Sequence, residues 1–157
     1  MLDSTDCRIL DILQQDAMVP ITTLAEAVGL SSTPCWRRVR KLEDEGYLRQ
    51  RVALLDRRKA NVPMTIFVRV KAPRHEAEWL TAFRALISEF PEIVEAWRLT
   101  GDVDYLLRLV VPNIDVYDEV YQKLIKKLEF SDLNSSIAME EMKFTTSIPT
   151  KYIKTRR

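Results

Sequence analysis

The sequence predicts an α+β chain in two parts, a helical head followed by a β-α-β-β-α-β unit. Three observations predict it. Up to Gly46 the apolar residues recur at helical spacing, interrupted at Met18-Val19-Pro20 and again at Gly29. Positive charge is concentrated just after the second break. Beyond Pro63 the pattern changes class, and runs rich in β-branched and aromatic residues alternate with amphipathic helices.

In the head, Asp3 to Gln15 reads as the first helix, with Asp3 as N-cap, Asp6 well placed in the first turn, and Ile9, Leu10, Ile12 and Leu13 as the core face. Ile21 to Val28 is a short second helix, with Thr22 or Thr23 near its cap and Leu24, Ala25 and Val28 facing inward. Gly29 ends it and Leu30 anchors the turn. The third helix starts at Ser31, an expected N-cap. It carries Pro34 in its first turn, where a missing N–H costs nothing, and it stops near Gly46. Cys35, Val39 and Leu42 form its apolar stripe. At about 100° per residue Thr33, Arg37, Arg40 and Lys41 fall on the opposite side, with Trp36 on a flank. Two helices joined by a short glycine-containing turn have helix-turn-helix spacing. Tyr47 to Leu55 alternates loosely and is expected to form a two-stranded wing, which makes the head a winged helix-turn-helix.

Residues 1–55 are therefore expected to form one domain and 56–63 (DRRKANVP) a linker, with Asn61 suited to a positive φ. Residues 64–157 should form a second domain ending in a basic tail. Its elements are a strand at Met64 to Val70 and a helix at Glu76 to Phe90, facing inward through Trp79, Leu80, Phe83, Leu86 and Ile87. A second strand spans Ile93 to Thr100 and a third Asp104 to Val111, joined by a tight Gly101-Asp102-Val103 turn. The last helix is Ile114 to Leu128, built on Val116, Tyr117, Val120, Leu124 and Leu128, and the last strand Asn134 to Met142. This order is that of the ferredoxin-like fold. The tail carries Lys151, Lys154, Arg156 and Arg157.

The whole chain is nearly neutral, with a net charge of +1, so its distribution of charge matters more than the total. From Ser31 to Lys59 stand nine basic residues (Arg37, Arg38, Arg40, Lys41, Arg49, Arg51, Arg57, Arg58, Lys59) against four acidic ones (Glu43, Asp44, Glu45, Asp56). From Asn61 onward the count is fourteen against fourteen. A local basic patch on a neutral chain is an electrostatic footprint for a polyanion. Glu43, Asp44 and Glu45 crowd the C-terminal end of the third helix, leaving its positive charge in the half that a recognition helix presents to the major groove.

Cys7 and Cys35 lie far apart within helical patterns, which fits buried thiols in a reducing compartment. No apolar run reaches the length of a membrane span and no signal-peptide core follows Met1, so a cytoplasmic protein without membrane partners is expected. His75 stands in a polar loop. No Cys or His pair has metal-ligand spacing, no glycine-rich phosphate loop occurs, and no nucleophile has an evident base, so neither an enzyme nor a metal or cofactor site is expected.

Taken together, the chain resembles the Lrp/AsnC family of transcription regulators from roughly Leu2 to Pro149. LDSTDCRILDILQQD resembles the family's opening helix, and LAEAVGLSSTPCWRRVRKLEDEGYL its second and third helices. ALLD at Ala53 to Asp56 is similar to the wing's return strand, and LTGDVDYLLRLVVP, from Leu99 to Pro112, to the signature Gly-x-x-Asp-Tyr turn. TPCW at Thr33 to Trp36, with Trp97, is most similar to a branch that responds to cysteine. The chain departs from many members at Gln50-Arg51, where Gly-Tyr is usual, and at Asn61, where Gly is usual.

The resemblance implies double-stranded DNA as one partner and a small effector, usually an amino acid, as another. It implies sensing domains that pair through their sheets, dimers that assemble into an octamer of four dimers, and effector clefts between neighbouring dimers. Combined with the helical wheel, it assigns Ser32, Thr33, Trp36, Arg37 and Arg40 to base edges or the sugar wall, and Arg38, Lys41, Arg49 and Arg51 to phosphate. Two alternatives stay open: Trp36 as a brace against the first helix, and Arg38 as the ion-pair partner of an acid there. Effector binding is expected at the Leu99, Thr100, Gly101, Asp102 and Asp104 turn, where N–H groups can hold a carboxylate and Asp102 or Asp104 an ammonium; the alternative is a tight β-turn with ordinary Asp residues, which for Asp102 alone is the favoured reading. Ser135 and Ser136, at the start of the last strand, are expected second contacts because a parallel neighbour puts them near that turn. Tyr105 is as well suited to packing or an interface as to ligand. The rival reading is an amino-acid-sensing subunit that acts on another protein without binding DNA.

Overall fold

A computed structural model of the chain describes residues 2–74 and 76–155; His75 and the last two tail arginines, Arg156 and Arg157, lie outside the described residues. The chain forms two compact units. One comprises the residues up to Ala53 together with those from Lys143 onward, and the other is Leu54–Met142.

In the first unit, α1 spans Ser4–Gln15, α2 Ile21–Val28 and α3 Ser32–Asp44. Asp3 caps α1 by accepting from the Asp6 N–H at 2.9 Å, while the Asp6 carboxylate accepts from the Asp3 N–H at 3.0 Å. Two donors that the first turn would otherwise leave unpaired are thus satisfied reciprocally. The other two helices start without such bonds. The cap of α2 is Pro20, not Thr22 or Thr23, and Ser31 occupies the cap position of α3 without a side-chain bond. Beyond α3, Gly46 takes a φ of 76°, and the Tyr47 N–H turns back to the Leu42 carbonyl at 2.9 Å. A left-handed residue is what that closure needs. The core joins Ile9, Leu10, Leu13, Leu24, Ala25, Val28, Cys35, Val39 and Leu42, all buried.

The expected two-stranded wing does not form: residues 47–55 pair with no strand. Between Tyr47 and Leu55 there is no Gly, Asn, Asp or Pro to turn a hairpin. Val52, Leu54 and Leu55 remain exposed, Leu55 at 80%. The segment is instead an extended arm, fixed at Arg51, whose guanidinium donates to the Ala17 carbonyl at 3.0 Å and to Glu43 at 3.1 Å.

The basic tail also departs from expectation. It belongs to the helical unit and not to the sheet unit. A short 3-10 turn at Thr150–Tyr152 lies on α1, Ile153 packs against the helical core, and Thr155 forms a parallel bridge with Leu2, which is fully buried. In so small a head each buried aliphatic side chain contributes roughly 1.5–3 kcal/mol, enough to recruit a distant segment.

In the second unit the stretch foreseen as a linker is an ordered turn. The Asp56 carboxylate accepts from the Arg58 and Lys59 N–H groups at 2.9 and 3.2 Å, and Asn61 takes the positive φ of 59°. Arg57 fastens the turn by donating to Thr65 and to Glu141, the latter at 2.6 Å. The unit then runs β1 Met64–Lys71, α4 Ala77–Ser88, β2 Ile93–Arg98, β3 Tyr105–Val111, α5 Ile114–Lys127 and β4 Asp132–Ile137. The sheet order is β2-β3-β1-β4, antiparallel throughout, as a ferredoxin-like fold requires. β4 starts and ends earlier than expected, because its register with β1 closes at Ile66↔Ile137.

Alternation along the strands separates two faces. Ile66, Val68, Val70, Leu107, Leu109 and Val111 pack with Phe83, Leu86, Val120 and Leu124 of the helices. Among the described residues no helix covers the other face. That face presents Phe67, Trp97, Leu106 and Val110, with Arg108 paired to Glu95 at 2.5 Å, a contact that holds the Glu95 carboxyl below its ordinary range.

Candidate nucleic-acid interface and effector loop

α3 sorts its side chains by face. Cys35, Val39 and Leu42 are buried, while Thr33, Trp36, Arg37, Arg40 and Lys41 are exposed and Ser32 is half-buried. Because Ser31 makes no capping bond, the Ser32 and Thr33 N–H groups are left at the positive end of the helix dipole, where an anion is favoured. Arg37 makes no ion pair among the described residues, nor does Arg49 on the arm. Arg40 pairs with Glu43 at 3.4 Å and Lys41 with Glu45 at 3.7 Å, both across exposed surface where such pairs are weak and readily exchanged for phosphate.

Trp36 stands on the exposed flank of α3. It is 51% exposed and carries the Arg40 guanidinium 5.5 Å from its ring centroid. It also lines a recess of about 320 Å³ together with Leu13, Val19 and Leu24.

Arg38 must be removed from the phosphate contacts. It turns away from the exposed side of α3 and binds Asp3 at 2.6 Å and Asp6 at 2.7 Å, closing the α1 cap from outside. Asp6 is only 5% exposed, so the guanidinium neutralises a carboxylate that water scarcely reaches. The Asp3 carboxyl is pulled below its ordinary value, first by the Asp6 N–H and then by Arg38, and the same pairs hold Arg38 still more firmly protonated. The wheel places Arg38 on the core flank, and only the α1 acids explain what it does there. Glu43 was missed. It brackets Arg40 and Arg51 together, and its spacing of three from Arg40 was the available signal.

In the sheet unit the Leu99 N–H donates to the Asp104 carbonyl at 2.8 Å and so closes the loop Thr100–Val103 between β2 and β3. Gly101 takes a φ of 103°, a conformation that side-chain-bearing residues rarely adopt. Thr100, Gly101 and Asp102 are exposed, and the loop's own N–H groups donate to no protein acceptor among the described residues. Asp104 is already engaged, since its Oδ2 accepts from the Ala72 N–H at 2.9 Å where β1 ends. Asp102, by contrast, is exposed and forms no ion pair among the described residues. Tyr105 is buried and packs 4.9 Å from Phe83, which makes it a core residue.

Ser135 and Ser136 do not join the loop within one chain. β4 is an edge strand that pairs with β1 and not with β3, placing these serines opposite Val68 and Phe67. The expected parallel neighbour is absent because β1 lies between the two parallel strands. Ser135 is instead hydrogen-bonded to the Tyr117 hydroxyl, and burial raises the pKa of that tyrosine. Cys7 and Cys35 are unpaired, and burial pushes both thiols up. Among the described residues no group of His, Cys, Asp or Glu could hold a metal ion, and no helix is long and apolar enough to cross a membrane.

The comparisons agree with this geometry. The AsnC-type helix-turn-helix domain matches residues 2–43, and the Lrp/AsnC ligand binding domain matches residues 65–148. The HTH-type transcriptional regulator Zrp of Zymomonas mobilis is 45% identical over 98% of this chain and 100% of its own. The crystal structure of an AsnC family transcriptional regulator from Agrobacterium tumefaciens superposes with a TM-score of 0.93 at 50% identity, covering 98% of this chain and all of that one. The transcriptional regulator NMB0573 from Neisseria meningitidis, solved as a complex with L-Met, gives 0.93 at 34% identity over the same shares of the two chains. An exposed cationic helix in a three-helix head, a ferredoxin-like second unit and these matches lead to one conclusion: the chain belongs to the Lrp/AsnC family of transcriptional regulators.

Proposed function

We propose that this regulator binds double-stranded DNA through the exposed face of α3 and that an amino acid held at the β2–β3 loop modulates the binding. The observation that carries the reading is the division of α3 itself: Arg37 and Arg40 face solvent beside Thr33, while their neighbour Arg38 is spent on the protein. Arg37 and Arg40 read base edges, with Ser32, Thr33 and Trp36 against the groove wall. Lys41, Arg49 and Arg51 hold phosphates. A single short helix reads few base pairs, so the active form is at least a dimer on a two-fold site. The helix-free sheet face, with Phe67 and Trp97 exposed, is suited to burial against a second copy, and further association of dimers, up to four, completes the effector clefts. The protein works by binding and not by catalysis, in the cytoplasm.

For the effector, the Thr100–Val103 N–H groups receive the carboxylate and Asp102 the ammonium. The L-Met complex of a relative supports an amino acid as the class. Cysteine, suggested by TPCW and Trp97, is one member to include. A gel shift on the protein's own upstream region, repeated with each amino acid, tests the whole reading. Sequence-selective retention altered by one amino acid is expected. Loss of selectivity against random duplex would leave the DNA-independent sensor as the better account. Asp102→Asn should abolish the amino-acid response while leaving unliganded DNA binding intact.

A further inference from the structure

The C-terminal segment follows α1 backwards from its last turn to its start. The Ile148 N–H donates to Gln14 Oε1 at 2.7 Å and Gln14 Nε2 donates to the Ile148 carbonyl at 3.2 Å. One turn nearer the start, Thr150 Oγ1 donates to Asp11 Oδ1 at 2.9 Å, and at the N-terminus of α1 Thr155 bridges to Leu2. The segment therefore reaches the end of α1 that Arg38 clamps to α3. In the homeodomain, a three-helix head whose third helix lies in the major groove, the arm that precedes the first helix enters the adjacent minor groove.

Its chemistry suits that place. From Lys143 to Arg157 there is no acidic residue, and Lys143, Lys151, Lys154, Arg156 and Arg157 are basic. Among the described residues Lys143, Lys151 and Lys154 are exposed and form no ion pair, whereas Arg40, Lys41 and Arg51 each have a glutamate. The Lys151 ammonium rests 5.0 Å from the Tyr152 ring centroid, a contact that orders it without neutralising it. A purely structural strap would need Gln14, Thr150 and Ile153 but not these lysines.

We infer that the tail is a second DNA-contact element, with Lys151 and Lys154 binding phosphates that flank the major-groove site; this rests on the DNA-binding reading above. The test uses the full chain and a Lys151→Gln, Lys154→Gln double variant. Binding to an operator duplex and to a random duplex is followed across a salt series, and melting temperature is measured beside it. Each phosphate contact contributes about 0.9 to the slope of log affinity against log salt, so the variant's slope should be shallower by about 1.8 per head. Its loss of affinity between about 50 and 200 mM salt should then be about tenfold smaller than the parent's, equally on both duplexes and with an unchanged melting temperature. An unchanged slope, a loss confined to the operator, or a loss that tracks a lowered melting temperature would each overturn the inference. A parent chain that retains no duplex at all would instead overturn the DNA-binding reading.

Discussion

Arg37 and Arg38 are adjacent on α3, and a residue step of about 100° sends them to regions with opposite chemistry. On the outer face Arg37 meets water and no carboxylate among the described residues; on the inner flank Arg38 meets two, one of them nearly sealed from solvent. The same side chain is thus a ligand-seeking group in one region and a structural cation in the other. Which it becomes depends on α1, whose Asp3 and Asp6 are required first by their own helix end and only then by Arg38.

Arg38→Met should produce the largest effect on stability. It strands the Asp6 carboxylate with only the Asp3 N–H, and partial exposure of the site reduces the cost to about 2–3 kcal/mol. For a head of this size that lowers the melting temperature by roughly 4–8 °C per kcal/mol. Thermal unfolding measures it. Below the transition, the ratio of operator to random binding should stay as in the parent. A stable variant with weakened DNA binding would return Arg38 to the phosphate contacts.

Arg37→Ala is the converse. Discrimination between operator and random duplex should fall by about 1–3 kcal/mol, the usual worth of one base-reading arginine, with no change in melting temperature. Competition gel shifts read it directly. Equal losses on both duplexes would make Arg37 a phosphate contact.

Acid separates the regions more gently. Asp3 titrates below its ordinary 3.8 in the folded head. The sign follows from linkage: its contribution is fully present above pH 3.8 and is lost as the pH falls through the lower, folded value. Asp3→Asn should therefore flatten the dependence of head stability on pH below about 4, whereas Arg37→Ala should leave that profile unaltered. Denaturant midpoints across pH 2 to 5 distinguish the two, with a parallel flattening in both variants as the contrary result.

Most of the fold was legible because each helix and strand advertises its own period. The stripe Cys35, Val39, Leu42 fixed the orientation of α3, and Met64 to Val70 could only be a strand. What was not legible depended on partners distant in sequence. The arm was read as a wing although it lacks a turn residue. The tail was assigned to the neighbouring domain because nothing local reveals that Ile153 fills the helical core. Ser135 and Ser136 failed for a topological reason, since strand order, which no single strand encodes, interposes β1. The loop at Thr100–Val103 is legible as a tight turn through Gly101, whereas the strand order that keeps Ser135 and Ser136 away from it is not.

Arg51 gives the finest distinction, because it lies between the two regions in kind. Like Arg38 it has a carboxylate partner, Glu43 at 3.1 Å, but like Arg37 it is exposed. An exposed pair contributes at most about 1 kcal/mol and exchanges readily, so Arg51 can turn one guanidinium nitrogen from Glu43 to a phosphate while the other keeps the Ala17 carbonyl. Arg51→Ala should consequently lower the salt slope by about 0.9 per head, weaken operator and random duplex alike by less than about tenfold, and hardly move the melting temperature. Glu43→Gln should do the reverse and tighten binding slightly, since it frees Arg51 and Arg40 together. If Glu43→Gln instead weakened binding, the glutamate would be holding Arg51 in its DNA-contacting position and the pair would have to be regarded as one preformed unit.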